Sequence, residues 1–418
     1  MASRLLSEDP APSQSNPPAV ATGTTRGFFY PLESLRGLAA LTVVIYHAVW
    51  TNPITALRFF QNGALMVDFF FVLSGFVIFH SYGRRLNSFK DTEKFLWLRL
   101  GRLYPLHFTF LLVFLAIEVA KYVAQVRWGI VADKPAFTVN SGFAFFTNLL
   151  LIHSLGIHDS LTYNYPSWSI STEFYAYVLF ALVRCAFTAL RDFVIAAAAI
   201  VVVCAVLLLR LHMVPIVEAG VNFGFLRCCM GFFLGALTYC AYSAAAAHVG
   251  TLSGKSLGRR LPMSGWVLLA AVVFLALLNP ESVWTYLIAP VAALVILATA
   301  LWPGAFTNAL LCSRPLRWLG RVSYSLYMVH AALVWTITQV LIFVLKYPKI
   351  TTSDGHGVLM PSGAGALTLA VYVLMVLGLS HFTYHWIEEP FRERSRALAA
   401  RWFASPAARP SAISVTTR

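Results

Sequence analysis

The stretch GFAFFTNLLLIHSL, residues 142–155, decides how this chain is laid across a membrane. Apolar runs of 10–14 residues more often form re-entrant or interfacial pieces than crossings. If it spans, every later loop changes side. Ten other apolar runs surround it, centred on 37–50, 63–82, 103–125, 168–189, 193–209, 221–243, 264–279, 284–301, 318–345 and 364–388. Positive charge arbitrates, because loops on the cytoplasmic side carry the excess of Lys and Arg. With 142–155 not spanning, the loops on the N-terminal side hold 23 Lys and Arg. The opposite loops hold 6, namely Arg58, Arg127, Lys134, Arg210, Lys346 and Lys349. Counting it as a crossing destroys this asymmetry. The sequence therefore predicts an all-α polytopic membrane protein of about ten transmembrane helices, with both termini cytoplasmic and 142–155 short, re-entrant or interfacial.

Composition agrees. Of the 418 residues, 59% are hydrophobic and 11% charged, whereas soluble chains carry about 25% charged residues. The net charge of +14 does not point to nucleic acid, since the cations sit in short loops between apolar runs. Residues 1–27 are rich in Pro, Ser, Thr and Ala and are expected to be disordered, as are 397–418; the membrane domain is expected over 28–396. The N-terminal stretch lacks a long apolar core with a cleavage site, so no signal peptide is expected. The six cysteines show no C-x-x-C or paired spacing, and neither a metal site nor a disulfide framework is expected.

Within this apolar chain a few polar side chains need a reason, since a charge at the bilayer centre costs about 2.5–3.5 kcal/mol on insertion scales. In LESLRGLAALTVVIYHAVW, residues 32–50, Arg36 and His47 are eleven positions apart. That spacing is about 20° past three helical turns and a rise of roughly 16 Å, so both lie on one stripe. A neutral imidazole at mid-depth is a natural base for a hydroxyl proton; the plainer reading is a packing histidine. Arg99 and Arg102 are spaced i,i+3 in LWLRLGRLYPLH. They are either topology signal or a cradle for phosphates. Asp68 in GALMVDFFFVLSGF needs Arg227, His47 or water as partner, and Glu173 in PSWSISTEFYAY either pairs with Arg227 or serves catalysis. Glu118 and Lys121 are expected to satisfy each other, and Glu388 and Glu389 to be structural beside Arg392 and Arg394. The topology puts Arg36, His80, Arg99, Arg102 and His107 near the cytoplasmic face, and His47 and His330 near the midplane. Asp68, Glu173 and Arg227 then fall in the outer half. No H-E-x-x-H, P-loop, G-x-G-x-x-G or G-x-S-x-G arrangement is present.

These residues suit an enzyme that receives a polyanionic donor at Arg99 and Arg102 and passes a group outward past a mid-depth base. The rival is a proton-coupled transporter with His47, Asp68 and Glu173 as relay, but the internal symmetry common in transporters is missing. A structural scaffold would not need a buried Arg/His stripe.

The chain resembles the membrane-bound acyltransferase-3 family. The resemblance is carried by Arg36 and His47 with ten residues between, FFFVLSGF, Arg99-x-x-Arg102 before LYP, PSWSISTEFYAY, SYSLYMVH and HWIEEPFR, running from Tyr30 to Arg392. It implies O-acylation of a carbohydrate hydroxyl, on an exopolysaccharide or lipid-linked sugar, or of a small-molecule acceptor. The donor would be a cytoplasmic acyl-CoA, acetyl-CoA foremost, acting as co-substrate with no resident cofactor. It further implies Arg36 and His47 as the essential pair, His47 as base or transient acyl carrier, and Arg99 and Arg102 on the donor's phosphates. Glu173 would orient acceptor or proton, with Asp68, Arg227, Trp168 and His330 on the substrate side. A bacterial inner membrane is implied too. Some relatives add an esterase-like domain after the last helix; this chain is expected to be the stand-alone type.

Overall fold

The computed structural model describes residues 29–403, apart from 131–133, 212, 214, 221, 252–262, 303–304 and 353–354. The expected tail at 1–27 lies outside the described residues. The chain is almost wholly helical. Its helices are α1 (Tyr30–Tyr46), α2 (Arg58–Gln61), α3 (Met66–Tyr82), α4 (Phe89–Trp128), α5 (Gly142–Leu149), α6 (Trp168–Ala186), α7 (Leu190–Arg210) and α8 (Gly224–Thr251). There follow α9 (Met263–Leu277), α10 (Ile288–Leu301), α11 (Ala305–Leu311), α12 (Arg314–Arg321), α13 (Ser323–Gln339), α14 (Ser362–Thr383) and α15 (Glu389–Trp402).

Among the described residues, seven helical stretches are long and apolar enough to cross a bilayer, which makes this an integral membrane fold. The expected ten included α1, α6 and α9. α1 has 17 residues and α9 has 15, both short of a full span, and α6 carries Glu173 in a polar N-terminal half. α1 stops at Tyr46 because the chain then becomes extended and joins a sheet. Val358 N donates to Val49 O, and Thr51 N donates to Val358 O, each at 3.0 Å. That sheet is an antiparallel hairpin of β1 (Lys349–Thr352) and β2 (Gly355–Val358), an element the all-α reading lacked. It covers the His47 end of α1.

α5 is only eight residues long, about 12 Å of rise. Its end docks on α4 close to the Arg99–Arg102 turn: Tyr104 Oη donates to Leu149 O at 3.0 Å, and His107 Nε2 lies 2.9 Å from Asn148 O. The chain then returns through a turn at Tyr165–Ser167, where Pro166 starts the new direction, and α6 begins at Trp168. α6 therefore starts inside the bundle.

Tight contacts set the rest. α3 and α8 touch backbone to backbone at two glycines: a Cβ on Gly75 would collide with the Phe232 carbonyl oxygen, and one on Gly235 with that of Val72. Small residues that let helices approach this closely are a signature of membrane packing. α15 continues α14 beyond a π-helical turn at Tyr384–Glu388 and packs along the start of α4. Trp97 Nε1 donates to Ser395 O at 3.1 Å, and Trp97 meets Trp402 at 4.9 Å. Residues 397–402, expected to be disordered, are thus the last turns of a packed helix. Their sequence, ALAARW, is rich in strong helix formers and ends on the tryptophan that anchors it.

Candidate active site

Arg36 and His47 do lie on one face of α1, and that face meets α13. Arg36 Nε donates to Ser323 Oγ at 2.8 Å and Arg36 Nη2 to Gly320 O at 2.8 Å. His47 lies against His330, two turns further along α13, with ring centroids 4.9 Å apart. Close approach of α1 to α12 makes this possible, since a Cβ on Gly37 would sit 2.6 Å from the Gly320 nitrogen.

Beside Arg36 a cavity of about 330 Å³ opens between α1, α3, α4, α6, α13 and α15, with Arg99, Arg102, Arg392, Glu173, Tyr177 and His80 in its wall. Arg99 and Arg102 present one helical face to it, as their spacing requires. Arg99 is braced by Tyr82, whose Oη accepts from Nη2 at 3.2 Å, while its Nε is buried and unpaired. Arg102 makes no hydrogen bond or ion pair among the described residues. Glu173 Oε1 accepts from Ser74 Oγ and from Tyr177 Oη, both at 2.6 Å. The carboxylate therefore shares a cavity with the arginines and does not lie in the far half of the bundle, as the topology had suggested. The reason is the internal start of α6: counting depth from a membrane surface overestimates it.

Tyr327, Ser169 and Phe70 line the cavity where it approaches His330. Tyr327 Oη donates to Pro166 O at 3.0 Å and is 2.9 Å from Ser169 Oγ, which pins the ring there. Beyond it come His330, 5.7 Å from Tyr327, then His47, with Tyr165 5.1 Å from His47. His330 is fully buried. His47 Nδ1 lies 2.9 Å from Val43 O. A carbonyl only accepts, so Nδ1 carries a proton; in the neutral ring the lone pair is then on Nε2, the tautomer a base requires.

Asp68 and Arg227 form a closed pair. Arg227 Nε donates to Asp68 Oδ1 at 2.9 Å and Nη2 to Oδ2 at 2.7 Å, with side-chain exposures of 2% and 0%. Trp168 stacks its ring 5.4 Å from the guanidinium. Removing one partner of such a pair costs roughly 3–5 kcal/mol because it strands a buried charge. Of the partners open to it, Asp68 takes Arg227, which leaves Glu173 to Ser74 and Tyr177. Asp68, Arg227 and Trp168, expected on the substrate side, are not in the lining of the cavity. The Glu118–Lys121 pair forms as its spacing predicts, at 2.8 Å. Glu388 is buried and accepts from Ser325 Oγ at 2.8 Å.

Sequence reasoning missed Ser74 and Tyr177, which hold Glu173, and Tyr327, which lines the cavity where it approaches His330. Ser74 comes from another helix with no periodic signal, whereas Tyr177 stands four residues after Glu173 on the same helix, a spacing that could have found it. Tyr327 stood in SYSLYMVH three residues before His330, the spacing that places both on one face.

Known proteins share this chain's pattern. The profile of the acyltransferase domain family matches residues 29–385. A Rhizobium radiobacter protein known as protein 2 in the picA locus is 33% identical over 164 residues, covering 37% of this chain and 81% of its own length. Bacillus subtilis YrhL, provisionally named a peptidoglycan O-acetyltransferase, is 25% identical over 89% of this chain and 56% of its own length. The Staphylococcus aureus O-acetyltransferase OatA is 24% identical over 87% of this chain and 57% of its own length. The chain thus spans little more than half of these two acetyltransferases. No solved structure matches.

Proposed function

The chain belongs to the acyltransferase-3 family, and from that premise we propose that it is a membrane O-acyltransferase drawing an acyl group from a cytoplasmic acyl-CoA. The acceptor is a carbohydrate hydroxyl, on an exopolysaccharide, a lipid-linked sugar or a wall glycan; the relatives' names support a glycan and an acetyl group. The observation that carries the reading is the cavity in which Arg36, Arg99 and Arg102 stand at the mouth and Glu173 inside, aligned with His47 beyond. Three cations around an apolar shaft suit an anion-headed donor with a long arm. Both termini face the cytoplasm in this reading, and the membrane is the bacterial inner membrane.

In the transfer, His47 Nε2 removes the acceptor's hydroxyl proton, and the oxygen attacks the thioester carbonyl. The C–S bond then breaks, and the thiolate of coenzyme A takes the proton back from His47. The Tyr327 ring must turn aside for the thioester to reach the histidine. Arg36 acts on the donor, not on the oxyanion, because roughly 16 Å of helix separates it from His47. Glu173, set between Ser74 and Tyr177, lies along the arm's path and positions it.

Binding of acetyl-CoA to the purified protein tests the reading, compared with an Arg99→Ala, Arg102→Ala double variant. Saturable binding that weakens at least tenfold in the double variant is expected, at 1.4 kcal/mol per tenfold for lost charge-assisted contacts. Absence of binding by well-folded wild type overturns the donor.

A further inference from the structure

Outside the inner cavity lies a larger hollow of about 820 Å³, which shares Glu33, Arg36, Arg392 and Arg396 with it. The transfer chemistry itself gives this hollow no task. Arg314, Arg317 and Arg321 line it from α12, where the i, i+3, i+7 spacing puts all three on one face. Arg392 and Arg396, one turn apart on α15, complete the wall. Counter-charge is scarce there. Arg392 reaches Glu389 at 3.7 Å, yet its Nε is buried and unpaired. Arg314, Arg321 and Arg396 make no hydrogen bond or ion pair among the described residues. Three aromatic rings, Tyr30, Trp318 and Tyr384, stand among these cations, and Arg317 already lies 4.3 Å from the Tyr30 ring.

A plain topology signal asks only for cations near the interface. It does not ask for a concave wall that interleaves them with aromatic faces. Arginine forks match phosphate oxygens, and aromatic faces stack on nucleobases at about 1–3 kcal/mol each. The inner cavity, at about 330 Å³, is at the small end of ligand pockets. It has room for a narrow arm but not for a nucleotide besides.

We propose that this vestibule is the seat of a phosphorylated nucleoside, the head of the donor. The base stacks among Tyr30, Trp318 and Tyr384, and a ribose phosphate monoester is gripped by Arg314, Arg317, Arg321 and Arg396. The diphosphate then falls to Arg36, Arg99 and Arg102 further in. The inference rests on the donor being a coenzyme A thioester. A phosphate monoester is also found on phosphatidic acid, so the test separates the two sources.

Full-length protein in phosphatidylcholine nanodiscs is loaded with labelled acetyl-CoA, which is then displaced with coenzyme A or with dephospho-coenzyme A. Wild type is expected to bind the form lacking the monoester at least tenfold more weakly. An Arg314→Gln, Arg317→Gln, Arg321→Gln variant should bind coenzyme A as weakly as dephospho-coenzyme A, leaving affinity for the latter unchanged. Arg396→Gln, on a different helix, should lower the ratio by itself, which keeps the test decisive if the triple variant misfolds. Equal displacement by the two forms in wild type overturns the inference while acetyl-CoA binding leaves the donor reading standing. So does a ratio that survives both variants. No acetyl-CoA binding by folded wild type overturns both. Should phosphatidic acid in the nanodiscs raise the melting temperature of wild type but not of the triple variant, with no preference between the two coenzymes, the arginines serve lipid and the inference falls.

Discussion

In the transfer proposed above, His47 depends on a backbone hydrogen bond. The helix ends at Tyr46, and the imidazole turns its Nδ1 towards Val43 O at 2.9 Å. This puts a proton on Nδ1, so that the neutral ring has its lone pair on Nε2. His330, 4.9 Å away and fully buried, adds a second imidazole to the same enclosure. Arg227, by contrast, is fully buried yet spent on Asp68, so burial and charge alone do not mark a catalytic group. The two histidines and the ion pair would therefore respond differently to truncation. His47→Ala should lower transfer of label from acetyl-CoA to glycan by about 10²–10⁴-fold, the usual worth of a general base. Acetyl-CoA binding should survive, since His47 does not line the cavity that holds Arg99 and Arg102. Wild-type transfer by this variant would remove His47 from the chemistry.

Elements carry the side chains to that geometry, and α3 against α8 is the seam on which most depends. Gly75 stands next to Ser74, whose hydroxyl holds Glu173 at 2.6 Å. A Cβ at position 75 would run into the Phe232 carbonyl, which is backbone and cannot swing away. The two helices must then separate, and overpacking of this kind costs about 1–3 kcal/mol. On α14, a Cβ added at Gly378 would meet no atom within 4 Å. Gly75→Ala should therefore lower the melting temperature in detergent, weaken acetyl-CoA binding and leave insertion intact, while Gly378→Ala should match wild type in all three. Equal melting temperatures for the two variants would refute the backbone contact. A similar constraint acts at α6, which begins inside the bundle only because α5 is too short to cross.

At the scale of the whole molecule, much was legible from one-dimensional patterns, for physical reasons. The spans show because the bilayer demands apolar length, and the Arg36–His47 stripe shows because helical periodicity fixes angle and rise together. What stayed hidden depends on contacts between elements. The depth of Glu173 and the place of Tyr327 against Pro166 and Ser169 follow from where α6 starts, and no spacing encodes that. The hairpin of β1 and β2 was missed because eight short-strand residues leave no periodic trace. The α12 arginines were visible but read as topology, since the same charges satisfy both demands until the wall they build is seen. Topology itself remains a consequence of charge. The Arg-lined end gathers Tyr30 with Arg317 and Trp97 with Trp402, and the opposite end gathers Trp50 with Val358. With 23 of 31 Lys and Arg in the loops assigned to the first end, that end should face the cytoplasm. Leu359 and Trp402, exposed at 49% and 58% on opposite ends, can be replaced by cysteine one at a time. A membrane-impermeant maleimide should label Leu359→Cys in intact cells above the unsubstituted chain. Trp402→Cys should react only after the membrane is opened. The reverse pattern would invert the molecule, place the arginine vestibule away from cytoplasmic acyl-CoA, and end the donor reading by geometry alone.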